Sequence, residues 1–140
     1  MGQATAITPH LVVKGGKAAI EFYKAALGAT TGRVMPAEDG ERLMHADILI
    51  GNVRFYVCDE FPEYAGMKGV KSGSPKTLGG VSVTMHLEVP NCDEAVAQAA
   101  AAGATVTMPP WDAFWGDRYA QVLDPFGHSW SFSHPLAKAG

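Results

Sequence analysis

An internal repeat is the feature of this chain that most restricts its fold. The run from Thr8 to Val13 (TPHLVV) aligns with the run from Thr84 to Val89 (TMHLEV), so His10 corresponds to His86 at an offset of 76 residues. The same offset returns beyond the first helix, where Arg42 corresponds to Arg118. A register that is kept across an intervening element predicts one structural module used twice.

Each copy contains the periodicities of one strand, one helix and three further strands. An alternating segment opens each copy, over residues 7–13 and 81–89, and an amphipathic helix follows that ends at Gly28 or Gly103. Three strands are then predicted in each copy, at 30–35, 41–50 and 53–58 in the first and at 105–108, 117–123 and 129–133 in the second. The sequence therefore predicts an α+β fold of two βαβββ modules.

The 140 residues are predicted to form a single domain with an internal linker. Module 1 covers about residues 5–58 and module 2 about residues 81–134. The stretch between them, about 59–80, is rich in Gly, Pro, Ser and Lys and is predicted to be the linker. A linker of this length leaves open whether the two modules pair within one chain or across a homodimer.

Several longer runs resemble a known superfamily. They are Gly15–Tyr23 (GGKAAIEFY), Met44–Gly51 (MHADILIG), Phe114–Tyr119 (FWGDRY) and Asp124–Trp130 (DPFGHSW). Together they resemble the glyoxalase/bleomycin-resistance/dioxygenase (vicinal oxygen chelate) superfamily, and the last two resemble its PhnB-like subgroup. The resemblance implies two half-barrel sheets around a ligand cavity, in a homodimer. It also implies either a metal-dependent lyase, isomerase or dioxygenase or a metal-free binder of drugs such as bleomycin, and so leaves catalysis undecided.

The metal-ligand positions implied by this resemblance hold unsuitable residues. They fall at Thr8, Thr84, Ser131 and, through the repeat offset, Phe55. These residues do not make a ligand set for a divalent transition metal, so we expect no metal at the usual positions and no cofactor.

A displaced metal site is the alternative. His10, His86 and Glu88 are spaced so that they share the cavity face of their strands, and two histidines with one carboxylate could hold a divalent metal ion. The simpler interpretation is that these residues line the cavity and contact a small organic ligand. Ser131 is expected to face the same cavity, because Trp130 and Phe132 alternate with it toward the core.

An aromatic stretch follows Pro109-Pro110 and is predicted to be a loop. Its Trp111, Trp115 and Tyr119 could form a wall for a planar or hydrophobic ligand, or a rim packed against a partner. Arg118 could clamp a ligand anion with its guanidinium group. The matching Arg42 in the first copy favours a structural ion pair for Arg118 instead.

His45 is a third candidate catalytic histidine beside His10 and His86. By the repeat offset it corresponds to Gln121, and it could act as a general acid or base or hold a structural hydrogen bond. A metal-free enzyme that uses these histidines therefore stays open beside the binding protein and the metal-dependent enzyme.

Charge and composition exclude other partners. The net charge of −3 gives no basic surface for nucleic acid or an anionic membrane, and no apolar run approaches the roughly 20 residues of a membrane helix. The N-terminal residues lack the pattern of a signal peptide, and Cys58 and Cys92 lack the spacing of a metal or redox motif. A cytoplasmic location is therefore expected.

Overall fold

The computed structural model describes residues 2–64 and 73–137. Module 1 consists of β1 (His10–Val13), α1 (Gly16–Leu27), β2 (Thr30–Pro36), β3 (Leu43–Ile50) and β4 (Val53–Asp59). A 3-10 turn (Pro62–Tyr64) and a short helix α2 (Pro75–Leu78) lie between the modules. Module 2 consists of β5 (Thr84–Glu88), α3 (Cys92–Ala102), β6 (Thr105–Asp112), β7 (Asp117–Leu123) and β8 (Ser129–Pro135).

The two modules have the same sheet topology. The strand order is β1-β4-β3-β2 in one sheet and β5-β8-β7-β6 in the other. The first and last strands of each module pair in parallel, whereas the remaining pairs are antiparallel. The prediction of an α+β fold with two βαβββ modules is confirmed.

The helices cover one face of each sheet, and the two modules share one core. Helix α1 buries Ala19, Ile20 and Tyr23. The Tyr23 ring contacts Phe55 of its own sheet at 5.3 Å and Trp130 of the other module at 5.6 Å between centroids. Helices α1 and α3 end at the predicted glycines, as at Gly28, whose φ of 67° is a left-handed conformation that glycine adopts without strain. Neither α1 nor α3 covers the opposite face of its sheet, which is here called the outer face.

Strand β6 is longer than predicted and contains residues that were expected to lie in a loop. It continues through Pro109-Pro110 to Asp112, so Trp111 is a strand residue that pairs with Tyr119 of β7. Strand β6 is the edge of its sheet, where a missing N–H on the open side costs no ladder hydrogen bond, and its pairing with β7 passes from Met108 to Trp111 without either proline. The pairing register shifts between Met108 and Trp111, so the strand is irregular at this point.

The described part of the predicted linker contains ordered structure. Asp59 belongs to β4, and the buried Ser74 caps α2 by accepting a hydrogen bond from the Thr77 N–H at 3.3 Å. Residues 65–72 of the predicted linker lie outside the described residues. Within the described ranges, no helix is long and apolar enough to cross a membrane.

The register of the last strand in each module corrects one sequence alignment. His10 lies opposite Tyr56 in the β1–β4 pair, and His86 lies opposite Ser131 in the β5–β8 pair. The structural counterpart of Ser131 is therefore Tyr56, and the assignment to Phe55 was wrong. The two-residue turn Gly51-Asn52 before β4 has a longer counterpart before β8, and a shift of one residue turns a strand side chain to the other face. Phe55 is accordingly 3% exposed and lies in the core.

Candidate functional site

A histidine held by two serines lies on the outer face of module 2. His86 Nδ1 is 2.7 Å from the Ser131 hydroxyl oxygen, and Nε2 is 3.0 Å from that of Ser133. In neutral imidazole one nitrogen accepts from a hydroxyl and the other donates to the second one. Both ring nitrogens of His86 are thus hydrogen-bonded within the protein, which fixes the orientation of its ring.

Aromatic rings continue from His86 toward the edge of the same sheet. The Tyr119 ring is stacked on His86 at 6.1 Å and 20°, and Trp115 contacts Tyr119 at 5.4 Å. Trp111 and Phe114 contact Trp115 at 5.6 and 5.0 Å. We call these four residues (Trp111, Phe114, Trp115 and Tyr119) the aromatic row. Phe114 is 92% exposed and Trp115 is 49% exposed, so much of this apolar surface faces solvent.

A second polar cluster lies on the outer face of module 1. His45 Nε2 is 2.6 Å from Asp47 Oδ1, and the His45 ring contacts Tyr56 at 4.7 Å between centroids. His10 completes the cluster, with centroids 6.1 Å from His45 and 5.7 Å from Tyr56. The hydrogen bond from His45 is the main reason that the pKa of the Asp47 carboxyl lies below its ordinary value.

The two clusters are counterparts in the repeated module. Strand β3 pairs Asp47 with Tyr56, as β7 pairs Gln121 with Ser131. Asp47 therefore corresponds to Gln121, and His45, two residues earlier, corresponds to Tyr119. The sequence alignment of His45 with Gln121 was wrong, again because the offset changes between strands. The hydrogen bond between His45 and Asp47 has its equivalent in the 2.9 Å hydrogen bond that Gln121 Nε2 donates to the Tyr119 hydroxyl.

Arg118 is held in ion pairs away from these clusters. Its guanidinium donates two hydrogen bonds of 3.0 Å to Asp93 at the start of α3 and one of 3.0 Å to Asp112 of β6. These bonds raise the pKa of Arg118 above its usual value and lower that of Asp93. Arg42 bonds Asp39 and Glu63 in the corresponding place. These ion pairs indicate a structural role for both arginines rather than ligand binding.

The candidate metal ligands are not assembled in the chain. In the ranges 2–64 and 73–137, no group of three or more His, Cys, Asp or Glu side chains is placed to hold a metal ion, and this includes the displaced set of His10, His86 and Glu88. His10 lines a groove of about 530 Å³ beside α2, whereas His86 and Glu88 line another of about 540 Å³ together with Arg54. At the usual positions the donors are hydroxyl groups, which do not fit a divalent transition metal.

Strand alternation brings side chains into the site that sequence analysis did not single out. Asp47 and Tyr56 in module 1, and Ser133 and Gln121 in module 2, all hydrogen-bond or contact one of the candidate residues. The signal was available, because Asp47 lies two residues after His45 on a predicted strand and Ser133 lies two residues after Ser131. For Tyr56 no such signal was available in the sequence, because its place beside His10 depends on the pairing of β4 with β1.

Comparisons with known proteins agree with this architecture. The sequence profile of the glyoxalase/bleomycin resistance protein/dioxygenase superfamily matches residues 5–132. An uncharacterized protein of Mycobacterium bovis is 43% identical over 131 residues, which cover 94% of this chain and 84% of the relative.

Solved structures are similar along most of their length. The structure of a gene product from Arabidopsis thaliana superposes with a TM-score of 0.70 at 27% identity, covering 94% of this chain and all of that one. The crystal structure of TioX from Micromonospora sp. ML1 gives a TM-score of 0.72 at 25% identity, covering 95% of this chain and all of TioX.

Proposed function

The chain belongs to the glyoxalase/bleomycin resistance protein/dioxygenase superfamily, and we propose that it is a PhnB-like member that binds a small organic ligand without a divalent metal ion. The runs FWGDRY (114–119) and DPFGHSW (124–130) support the subgroup. The outer face of module 2 supports the binding role.

The aromatic row is the observation that carries this proposal. Exposed rings that pack edge-to-face on one another offer a broad, rigid apolar surface on which a planar ligand can lie. At its inner end the row meets His86, which is hydrogen-bonded to Ser131 and Ser133. The imidazole can exchange one of these hydroxyl partners for a polar substituent of the ligand. An apolar wall with a few fixed polar groups at one end is the usual composition of a small-molecule site.

A homodimer is part of the proposal. Within residues 2–64 and 73–137, α1 and α3 leave the outer faces of both sheets uncovered, and the aromatic row adds Phe114 at 92% exposure. Exposed apolar surface of this kind on a soluble domain is typically covered by a partner. A second copy that places its module 1 against module 2 of the first would enclose the two outer faces in one cavity, and equilibrium sedimentation measures whether the chain is dimeric.

Saturation-transfer NMR with a set of naphthalene, indole and quinoline compounds tests the binding role. Compounds that bind the aromatic row should receive saturation from the wild-type protein and lose it with Trp115→Ala. Tyr64→Ala removes another exposed aromatic ring, which lies in the 3-10 turn between the modules, and should leave the signal unchanged. Equal signals from the Trp115→Ala and wild-type proteins, or no saturation of any compound by the wild type, would count against the proposal.

A metal-dependent lyase, isomerase or dioxygenase is the second candidate function. It is favoured by His86 and Glu88, which share the outer face of β5 and line one groove. Elemental analysis of the purified protein after incubation with zinc, iron, manganese and nickel salts distinguishes the two functions. Close to one metal per chain, lost in both His10→Ala and His86→Ala, would replace the binding proposal by a displaced metal site. A protein that retains no metal would support the metal-free binding proposal.

A further inference from the structure

The two equivalent clusters differ in the hydrogen-bonding capacity that they leave unused. Both ring nitrogens of His86 are bonded to serines. His45 is bonded through Nε2 to Asp47, and among the described residues its Nδ1 has no hydrogen-bond partner. The Tyr56 hydroxyl and the His10 ring likewise have none there. Because no buried side-chain nitrogen or oxygen atom in the described residues lacks a partner, these groups are open to solvent or a ligand.

From this difference we propose that module 1 carries a metal-free proton-transfer site, in which His45 Nδ1 is the general base and Asp47 the positioning residue. The substrate class is a small carbon acid, such as a compound with a C–H bond next to a carbonyl group. The inference goes beyond ligand binding at the aromatic row and stands on different residues, so either can fail without the other.

The carboxylate that positions His45 is itself fixed. Asp47 Oδ2 accepts a hydrogen bond from the Arg33 N–H at 3.2 Å, while Oδ1 is bonded to His45. Gly32 allows this approach, because a Cβ atom there would lie 3.1 Å from the Asp47 side chain. A carboxylate bonded to one imidazole nitrogen holds the proton on that nitrogen and leaves the lone pair on the other. Asp47 therefore selects the tautomer of His45 in which Nδ1 can accept a proton.

The neighbouring groups suit the charge that such a reaction develops. When His45 Nδ1 takes the proton from carbon, the electron pair of the C–H bond forms a C=C bond, the π pair of the carbonyl group moves to its oxygen, and the substrate becomes an enolate. The Tyr56 hydroxyl can donate a hydrogen bond to that oxygen. The other titratable and charged side chains close to His45 include Asp47 and His10. They also include Arg33, whose charge contributes to the lowered pKa of Asp47, and Arg54, whose guanidinium carbon lies 5.6 Å from the Tyr56 ring centroid. Return of the proton to a different carbon, or to the opposite face of the same carbon, completes an isomerisation without a cofactor.

The base can be tested before the natural substrate is known. The probe 5-nitrobenzisoxazole loses the proton on its ring carbon to a general base, the N–O bond breaks, and a coloured cyanonitrophenolate forms. Because a positioned general base contributes roughly 10²- to 10⁴-fold, we expect His45→Ala and His45→Gln to lose at least about tenfold of the rate. His134→Gln is the control, because His134 accepts a hydrogen bond from the Cys92 N–H outside both clusters, and it should retain the wild-type rate. Thermal unfolding of each variant shows that it is folded.

The positioning role of Asp47 has its own readout. In ¹⁵N NMR spectra the wild-type His45 should be the Nε2–H tautomer, and Asp47→Asn should give a mixture of tautomers together with a slower reaction at unchanged KM. A folded His45→Gln that keeps the wild-type rate, or a wild-type protein no faster than its His45 variants, would overturn the proposal. So would a His45 tautomer that Asp47→Asn leaves unchanged.

Discussion

The Tyr23 hydroxyl of module 1 donates a 2.6 Å hydrogen bond to Asp124 Oδ2 of module 2, across 101 residues of sequence. Trp130 Nε1 donates to the same oxygen at 2.9 Å. The other oxygen accepts from the backbone N–H groups of Phe126 and His128. This buried carboxylate is therefore bonded on both oxygens, and one of its donors comes from the other module.

Tyr23→Phe should destabilise the protein while preserving the shape of the core. The substitution leaves Asp124 with one donor fewer, and hydrogen bonds to charged groups contribute about 1.5–3 kcal/mol. We expect a loss of that size in the free energy of unfolding, measured by urea denaturation. Tyr64→Phe removes the hydroxyl of a tyrosine that is 67% exposed and should change nothing measurable. Equal losses for both variants would show that the link between the modules contributes no stability.

The same tyrosine should make stability depend on alkaline pH. Burial, followed by the charge of Asp124, raises the pKa of Tyr23 well above its ordinary value of 10.0. A group whose pKa is raised by folding stabilises the folded state below the ordinary pKa, and this stabilisation is lost as the pH rises through the folded pKa. Above about pH 10 the wild type should therefore lose more stability than Tyr23→Phe does. Parallel curves of unfolding free energy against pH for the two proteins would contradict the assignment.

The repeat allowed the fold to be predicted from sequence, but the sites depended on details that it does not encode. Two copies with one strand, one helix and three strands predicted both sheets, because hydrophobic periodicity reports which element a segment forms. It does not report the register between strands. The offset of 76 residues holds for His10 and His86 but not for the last strands, so Phe55 was assigned to a position that Tyr56 occupies.

Local sequence was also not enough to predict the aromatic row and the module 1 cluster. Pro109-Pro110 indicated a loop, but an edge strand accepts proline, and Trp111 is paired with Tyr119. The link between His45 and Asp47 could have been found, because residues two apart on one strand share a face. Tyr56 needed the pairing of β4 with β1, which is a long-range contact.

Gly127→Ala should reveal how closely α2 packs on module 2. A Cβ atom at Gly127 would lie 2.8 Å from Pro75 Cβ, and the φ of Gly127 is +90°. Gly51 has a φ of +59°, and a Cβ atom there would have no neighbour within 4 Å, so Gly51→Ala measures backbone strain alone, about 1 kcal/mol. Overpacking should add roughly 1–3 kcal/mol for Gly127→Ala. Denaturation of the two variants measures this difference, and equal losses would mean that α2 moves away without cost.

Titration of Asp47 measures how strongly it is bonded to His45 in the folded protein. The pKa of Asp47 is lowered from 3.8, chiefly by the hydrogen bond from His45. Burial of the carboxyl opposes this effect but is smaller, and the hydrogen bond from the Arg33 N–H lowers the pKa further. His45→Ala should therefore raise this pKa toward its ordinary value, as followed by the ¹³C NMR shift of the carboxyl carbon. His10→Ala removes an imidazole of the same cluster that does not bond Asp47 and should leave the titration unchanged. Because a carboxyl with a lowered pKa stabilises the folded state above pH 3.8 and loses this effect as the pH falls through the folded pKa, the wild type should also lose more stability on acidification than His45→Ala. If the pKa of Asp47 is the same in the wild type and in His45→Ala, the two side chains are not hydrogen-bonded in solution. Asp47 then does not position His45 as a base.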